Sequence, residues 1–271
     1  MERVLITGAA GDIGGRLRQS LKGVYPKLRL SDIRDLGQAA EGEELMPADI
    51  ADLEAMLRLC EGVDGVVHLG GMAVENHWDT ILNANLIGCY NLFEAARRQG
   101  VKRVIFATSN HAVGFYRRDQ TIDHRVPVKP DSRYGVSKAF GEALGSLYAD
   151  KYGLGVFCIR IGNVADMPAD KRRLSIWISP RDLTQLVRIG LEHPDLHYEI
   201  VYGVSDNQRS WYDNSNAFRL GYRPQDKAED YAEEVLAREP PHPPGDITEV
   251  YQGGTFVAAE IGGDPNKPDP A

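Results

Sequence analysis

The residues of this chain best suited to moving a proton are a tyrosine and a lysine four apart, in Tyr134-Gly135-Val136-Ser137-Lys138. On a helix the two share one face. An ammonium beside a phenol favours the phenolate and lowers its pKa, which fits the tyrosine for general acid–base work near neutral pH. Ser109 follows the apolar run Arg103 to Thr108. At the carboxyl edge of a parallel sheet its hydroxyl can steady a reacting carbonyl. A surface i,i+4 pair and a serine that merely caps a strand remain open on these residues alone. A second cluster, Thr7-Gly8-Ala9-Ala10-Gly11-Asp12-Ile13-Gly14, spaces its glycines at i, i+3 and i+6. Gly8 permits a tight turn out of a strand, Gly11 lets the backbone approach a pyrophosphate, and Gly14 lets the next helix lie against the sheet. The helix start then offers free N–H groups and a positive dipole end to phosphates.

A second strand, Lys27 to Ser31, ends at Asp32, 21 residues after Gly11. A carboxylate there accepts from both ribose hydroxyls and repels a 2′-phosphate, so NAD is expected over NADP. Arg29 and Arg34 nearby leave NADP open. Asp49-Ile50 is placed to meet the adenine, or else Asp49 caps a helix starting near Ala51. The glycines of His68-Leu69-Gly70-Gly71 let the backbone pass close to a cofactor, or simply make a loop.

Positioning these groups takes alternating strands and helices. Arg3 to Thr7, Val63 to Leu69, Arg103 to Thr108 and Val156 to Ile161 read as strands buried on both faces, rich in β-branched residues without polar alternation. Between them, Ile81 to Arg98 places Leu82, Leu86, Tyr90, Phe93 and Ala96 at helical spacing before Gly100, and Ser132 to Tyr152 is a second long helix. The expected class is α/β, a doubly wound parallel sheet with a small C-terminal substrate-binding lobe. Residues 1–165 form the cofactor-binding and catalytic core. Residues 166–260 supply substrate loops, the last core elements and an arm, and residues 261–271 form a disordered tail. Ser179-Pro180-Arg181-Asp182 predicts a capping box opening a helix towards Glu192, and Tyr198 to Val204 another strand. The last 32 residues hold seven of the 15 prolines, which predicts an irregular, wrapping arm. Glu41-Gly42-Glu43-Glu44 reads as a solvated loop.

The 271 residues are 42% hydrophobic and 26% charged, the composition of one ordinary globular protein. A net charge of −8 argues against a nucleic-acid partner and gives no support to adhesion on an anionic membrane. No apolar run approaches the roughly 18 residues of a membrane span. The first residues enter an apolar strand without a signal-peptide pattern. Cys60, Cys89 and Cys158 have neither a disulfide framework nor a zinc spacing, and no metal site is expected. The expected location is cytoplasmic.

TGAAGDIG, HLGG, TSN and YGVSK, in this order over about residues 1 to 165, resemble the extended short-chain dehydrogenase/reductase family. The resemblance implies a Rossmann fold with Ser109, Tyr134 and Lys138 as catalytic trio and Asn85 as a fourth member. It implies that NAD lies against Gly8, Gly11, Asp12, Ile13, Gly14, Asp32, Asp49, Ile50, Leu69, Gly70, Gly71, Asn85, Lys138 and Val164. HLGGMAVE, ATSNHAVGFY, YGVSKAFGE, RIGNV, RRLSIW and YQGGTFV are similar, over nearly the whole chain, to the uronate dehydrogenase family. That likeness implies oxidation of the anomeric carbon of a cyclic hexuronate, galacturonate or glucuronate, to an aldarolactone. The sugar would touch Ala73, Ser109, Asn110, His111, Tyr134 and Asn163. Its carboxylate would meet Arg172, or Arg173 by a slip of one residue, since a guanidinium presents a fork of donors. Family members carry serines where this chain has Ala73 and Asn163, which bears on affinity and epimer preference. Helices Ile81–Arg98 and Ser132–Tyr152 pair in the wider family, implying a homo-oligomer. Two other readings stand beside this one: a sugar-nucleotide epimerase or dehydratase of the same fold, and a non-catalytic nucleotide sensor.

Overall fold

The computed structural model describes residues 1–259, so the expected disordered tail lies outside the described residues. Seven parallel strands form one sheet. They are β1 (Arg3–Thr7), β2 (Lys27–Ser31), β3 (Glu43–Leu45), β4 (Gly65–His68), β5 (Arg103–Ser109), β6 (Gly155–Ile161) and, after the short two-stranded ladder of β7 (Asn163–Val164) and β8 (Trp177–Ile178), β9 (Tyr198–Gly203). The order β3-β2-β1-β4-β5-β6-β9 reverses direction between β1 and β4. A crevice at the carboxyl ends of the strands follows from that reversal.

Side chains of β1 alternate between two apolar layers, as a strand covered on both faces requires. Val4 and Ile6 meet Leu17 and Leu21 of α1 (Asp12–Leu21). Leu5 faces Met56 and Leu59 of α2 (Leu53–Cys60). Between α2 and the crevice run α3 (Trp78–Ile81), a π-helical stretch Leu82–Ile87 and α4 (Gly88–Arg98), followed by the long α5 (Arg133–Tyr152). The layer of α1 is completed by α7 (Pro180–Glu192), after the single turn α6 (Arg173–Ile176). Among the described residues no helix is long and apolar enough to cross a membrane.

Of three local expectations one fails and two hold in part, with Phe93 and Ala96 buried as read and Ser179 capping α7 at Pro180; tertiary partners outbid local pattern for the rest. Glu43 and Glu44 lie on the edge strand β3, where Glu43 meets Arg18 at 2.6 Å and Glu44 meets Arg3 and Arg29 at 3.1 and 3.0 Å. The apolar stripe read on Ile81–Arg98 is turned. Tyr90 is exposed, while Ile81, Asn85, Cys89 and Leu92 are buried between α2 and α5. At α7, Ser179 Oγ accepts from the Asp182 amide at 3.1 Å, but the Asp182 carboxylate does not return the bond. It accepts from Ser205 Oγ and the amides of Gln225 and Asp226.

The element that carries Tyr134 and Lys138 is fixed by a buried ion pair. Glu142 of α5 receives two bonds from Arg160 of β6, at 2.9 and 2.8 Å, and a third from Thr108 of β5 at 2.8 Å. A Cβ at Gly141 would run into the Phe106 ring, so glycine there lets α5 lie directly on β5. Replacing Arg160 by Met leaves a buried carboxylate unpaired, which costs about 3–5 kcal/mol and lowers the melting temperature by about 10 °C. Thermal denaturation checks this: the double variant Glu142→Leu with Arg160→Met should recover most of the loss, and a single variant melting like the parent would refute the assignment.

Candidate active site

The carboxyl ends of β1, β4, β5 and β6 open into a cavity of about 730 Å³. Gly8, Gly11, Asp12, Ile13 and Gly14 line one end. Gly8 has φ +69°, and a Cβ on it would sit 2.8 Å from the Leu69 carbonyl carbon. A Cβ on Gly14 would strike the Gly8 carbonyl. Gly11 caps α1 without a side-chain hydrogen bond, so the first-turn amides are left for a ligand.

Asp32 Oδ2 accepts from the Ala10 amide and Oδ1 from the Arg34 amide, both at 3.0 Å. Burial pushes this carboxyl up, but the Arg34 guanidinium and the two amides outweigh it and hold it below its ordinary range. Arg29, expected near the ribose, is elsewhere. It donates to the Leu59 and Glu61 carbonyls at 2.8 Å and pairs with Glu44, because its strand position faces the end of α2. Asp49 does not cap α2, which starts at Leu53 with Asp52 accepting from the Ala55 amide at 3.1 Å. Asp49 instead turns its own loop, accepting from Ala51 at 2.9 Å, and lines the cavity with Ile50. Leu69, Gly70, Gly71 and Val164 complete this end.

Ser109, His111, Tyr134, Lys138, Ala73 and Asn163 line the other end. Ser132 caps α5, accepting from Gly135 at 3.0 Å. Glu75, buried, accepts from the Tyr134 amide at 2.9 Å and from Arg133 at 2.8 Å. Glu75 closes the HLGGMAVE motif, but nothing in that motif assigned it this role. Lys138 Nζ donates to the Ala107 carbonyl at 2.8 Å and stands 5.4 Å from the centre of the Tyr134 ring. Burial pushes Tyr134 up to about 12, with the Ser109 hydroxyl pulling the other way, and burial lowers Lys138 to about 8. The expected lowering of the phenol by the lysine does not appear here, where burial dominates both groups.

Asn85, Asn110 and Arg172 stand behind this wall. Asn85 sits in the π-helical stretch, a distortion frequent at functional sites. It bonds both backbone groups of Met72, at 2.7 and 3.0 Å, and donates to Ser137 Oγ at 2.9 Å. Asn110, with its amide turned to satisfy both ends, donates to the Ile161 carbonyl at 3.2 Å and accepts from Arg172 Nη2 at 3.0 Å. Arg172 Nε donates to the Gln252 carbonyl at 2.9 Å. Burial lowers Arg172 to about 10, and no carboxylate among the described residues pairs with it. Arg173 is different: it is bound to Asp170.

Three further residues take roles that the sequence reading did not assign, Gln252 and Phe256 within YQGGTFV and Asp131 outside any motif. Asp131 accepts from His111 Nδ1 at 2.7 Å, and Phe256 stacks on the His111 ring with centroids 3.7 Å apart. Gln252 meets Arg172 from the same C-terminal arm, which is bonded to Tyr116 and Gly114. Their partners lie some 20 to 145 residues away in sequence, and only folding brings them together.

Residues 4–211 match the NAD dependent epimerase/dehydratase family. A uronate dehydrogenase of Pseudomonas syringae pv. tomato is 47% identical over 263 residues, covering 97% of this chain and 95% of that protein. The crystal structure of a glucuronic acid dehydrogenase from Chromohalobacter salexigens has a TM-score of 0.94 at 45% identity, covering 98% of each chain. A mutant uronate dehydrogenase from Agrobacterium tumefaciens complexed with NAD has a TM-score of 0.93 at 41% identity, over 96% of this chain and 98% of that one.

Proposed function

The chain belongs to the NAD dependent epimerase/dehydratase family, among its uronate dehydrogenases, and from that premise we propose how its own residues carry out the NAD-dependent oxidation of a uronate. The observation that carries the proposal is Arg172: a desolvated guanidinium without a carboxylate partner, held by Gln252 and Asn110 beside the cavity that ends at Tyr134. A buried cation of this kind is complementary to an anionic sugar and not to a neutral one. The sugar-nucleotide and sensor readings give way to this one.

The residues at the glycine end fit NAD. First-turn amides of α1 receive the pyrophosphate, Asp32 the ribose hydroxyls, and Ile50 flanks the adenine beside Asp49. When bound, NAD accepts the hydride that leaves carbon one of the cyclic uronate. Arg172 receives the uronate carboxylate. His111 and Asn163 bond the ring hydroxyls, Asn110, expected among them, instead holds the Arg172 guanidinium from behind, and Ala73 contributes only its backbone. Ser109 orients the anomeric oxygen, and Tyr134 takes its proton as carbon one becomes the carbonyl of an aldarolactone. Lys138 steadies the phenolate that accepts this proton and reaches towards the nicotinamide ribose. Asn85, through Met72 and Ser137, keeps the loop and α5 in register.

Three free, buried cysteines suit a reducing compartment. With a free NAD pool as co-substrate, we place the enzyme in the cytoplasm, and recovery in the periplasmic fraction would overturn that. A second copy of the chain covers the apolar face made by Ile87, which ends the π-helical stretch, and Tyr90 of α4 with Val136, Phe140 and Leu147 of α5. Tyr90 is 45% and Leu147 49% exposed, more than water-facing side chains of this kind warrant over two adjoining helices.

Reduction of NAD by galacturonate or glucuronate, but not by the neutral parent sugar, is the expected outcome of an absorbance assay, and inertness to both uronates overturns the reading. In that assay Tyr134→Phe loses nearly all turnover while still binding NAD; retained turnover would remove Tyr134 as the base. Arg172→Ala raises the KM for a uronate by about 10- to 100-fold, the worth of a charge-assisted bond, and leaves NAD affinity alone. An unchanged KM moves the carboxylate elsewhere. By sedimentation, Phe140→Asp should reduce an oligomer to monomers, and a parent protein already monomeric refutes the pairing.

A further inference from the structure

We infer that Asp131 is a positioning residue: it keeps the proton of His111 on Nδ1, so that Nε2 faces the sugar as an acceptor for a ring hydroxyl. The inference rests on the placement of the uronate against His111 proposed above. Asp131 has no exposed side-chain surface. One of its oxygens accepts from the Ser132 hydroxyl at 2.8 Å, and the other lies 2.7 Å from His111 Nδ1. A carboxylate only accepts, so a contact this short assigns a proton to Nδ1, and in the neutral ring that leaves a lone pair on Nε2.

Turning the ring over would put Cδ2 in place of Nδ1 and forfeit the Asp131 bond, and its faces and edge are packed. Phe256 stacks on it at 3.7 Å with planes 23° apart, and Tyr134 meets it edge-on at 5.9 Å. The socket is made for the carboxylate. A Cβ on Gly114 or on Gly253 would run into Asp131, and these two glycines are joined by a 2.9 Å backbone bond from the Gly253 amide to the Gly114 carbonyl. Two distant segments thus leave out their side chains where this one side chain lies. The consequence is chemical. Arg172 and Lys138 can only donate, so an imidazole lone pair at His111 gives the wall an acceptor that selects a substrate hydroxyl at one position.

The test has two arms. In the first, histidine ¹⁵N spectra of the NAD-bound enzyme at neutral pH should show His111 protonated at Nδ1 and bare at Nε2; a proton on Nε2 overturns the proposal. This arm needs no turnover, so it stays separate from any failure of the uronate reading. In the second, Asp131→Ala should raise the KM for a uronate about tenfold with kcat changed by less than about threefold. On a His111→Ala background the same change should cost nothing further, because Asp131 acts only through the ring. Losses that multiply, or a parental KM in Asp131→Ala, refute it. Should Asp131→Ala melt before assay, the ¹⁵N arm, which needs no variant, decides alone.

Discussion

Every group at the reactive end of the cleft is held in place, directly or through one neighbour, by the seating of α5 on the sheet. Tyr134 and Lys138 are separated from Glu142 by whole turns of that helix, so the ion pair of Glu142 with Arg160 sets their height above β5 and β6. Thr108, which bonds the same carboxylate, immediately precedes Ser109. One buried network therefore fixes the serine hydroxyl against the phenol to within the slack of a hydrogen bond. Arg160 continues it to the Tyr202 hydroxyl at 3.2 Å, and Tyr202 to the Asp123 carbonyl at 2.9 Å, tying β9 and the loop beyond β5 to the same point. A buried pair is a poor source of net stability, but a costly one to break, and that asymmetry makes it a good alignment device.

The far end of α5 could still fray, and two features prevent it. Glu75 takes the Tyr134 amide that a helix start would otherwise leave free, and Asn85 spans from Met72 to Ser137 one turn further on. Both come from the segment after β4, the side on which the cofactor end of the cleft lies. Cofactor loop and proton-transfer helix are thus laced together by polar side chains, each with its hydrogen bonds met. The C-terminal arm closes the remaining side, with Phe256 on His111 and the Gln252 carbonyl on Arg172. A short chain achieves with this arm what a larger protein would do with a separate lobe.

Electrostatics follow the same enclosure. Lys138 falls to about 8 and Arg172 to about 10 because neither keeps its water, while Tyr134 rises to about 12. Two cations destabilised by burial are two places where a negative charge, a phenolate or a carboxylate, is welcome. The site is thereby polarised for an anionic sugar losing a proton.

Much of this was written locally. The glycine spacing after the first strand, the short apolar runs and the Tyr134–Lys138 pair each depend on neighbours within a few residues, and they announced the parallel sheet, the glycine-lined end of the cleft and the helix that carries Tyr134 and Lys138. Wherever local pattern had to compete with distant partners it failed: Glu43 and Glu44 became strand because arginines from α1, β1 and β2 neutralise them, and Tyr90 turned outward because Asn85 had bonds to make inward. The choice between Arg172 and Arg173 was likewise beyond the sequence, since it depended on Asp170 capturing one and the arm receiving the other. Asp131 carried no motif at all, and the motifs that hold Glu75 and Phe256 did not show what those side chains meet. Their roles arise from side chains meeting across long stretches of chain, and only the closed tertiary structure, by excluding water from those meetings, gives them their chemistry.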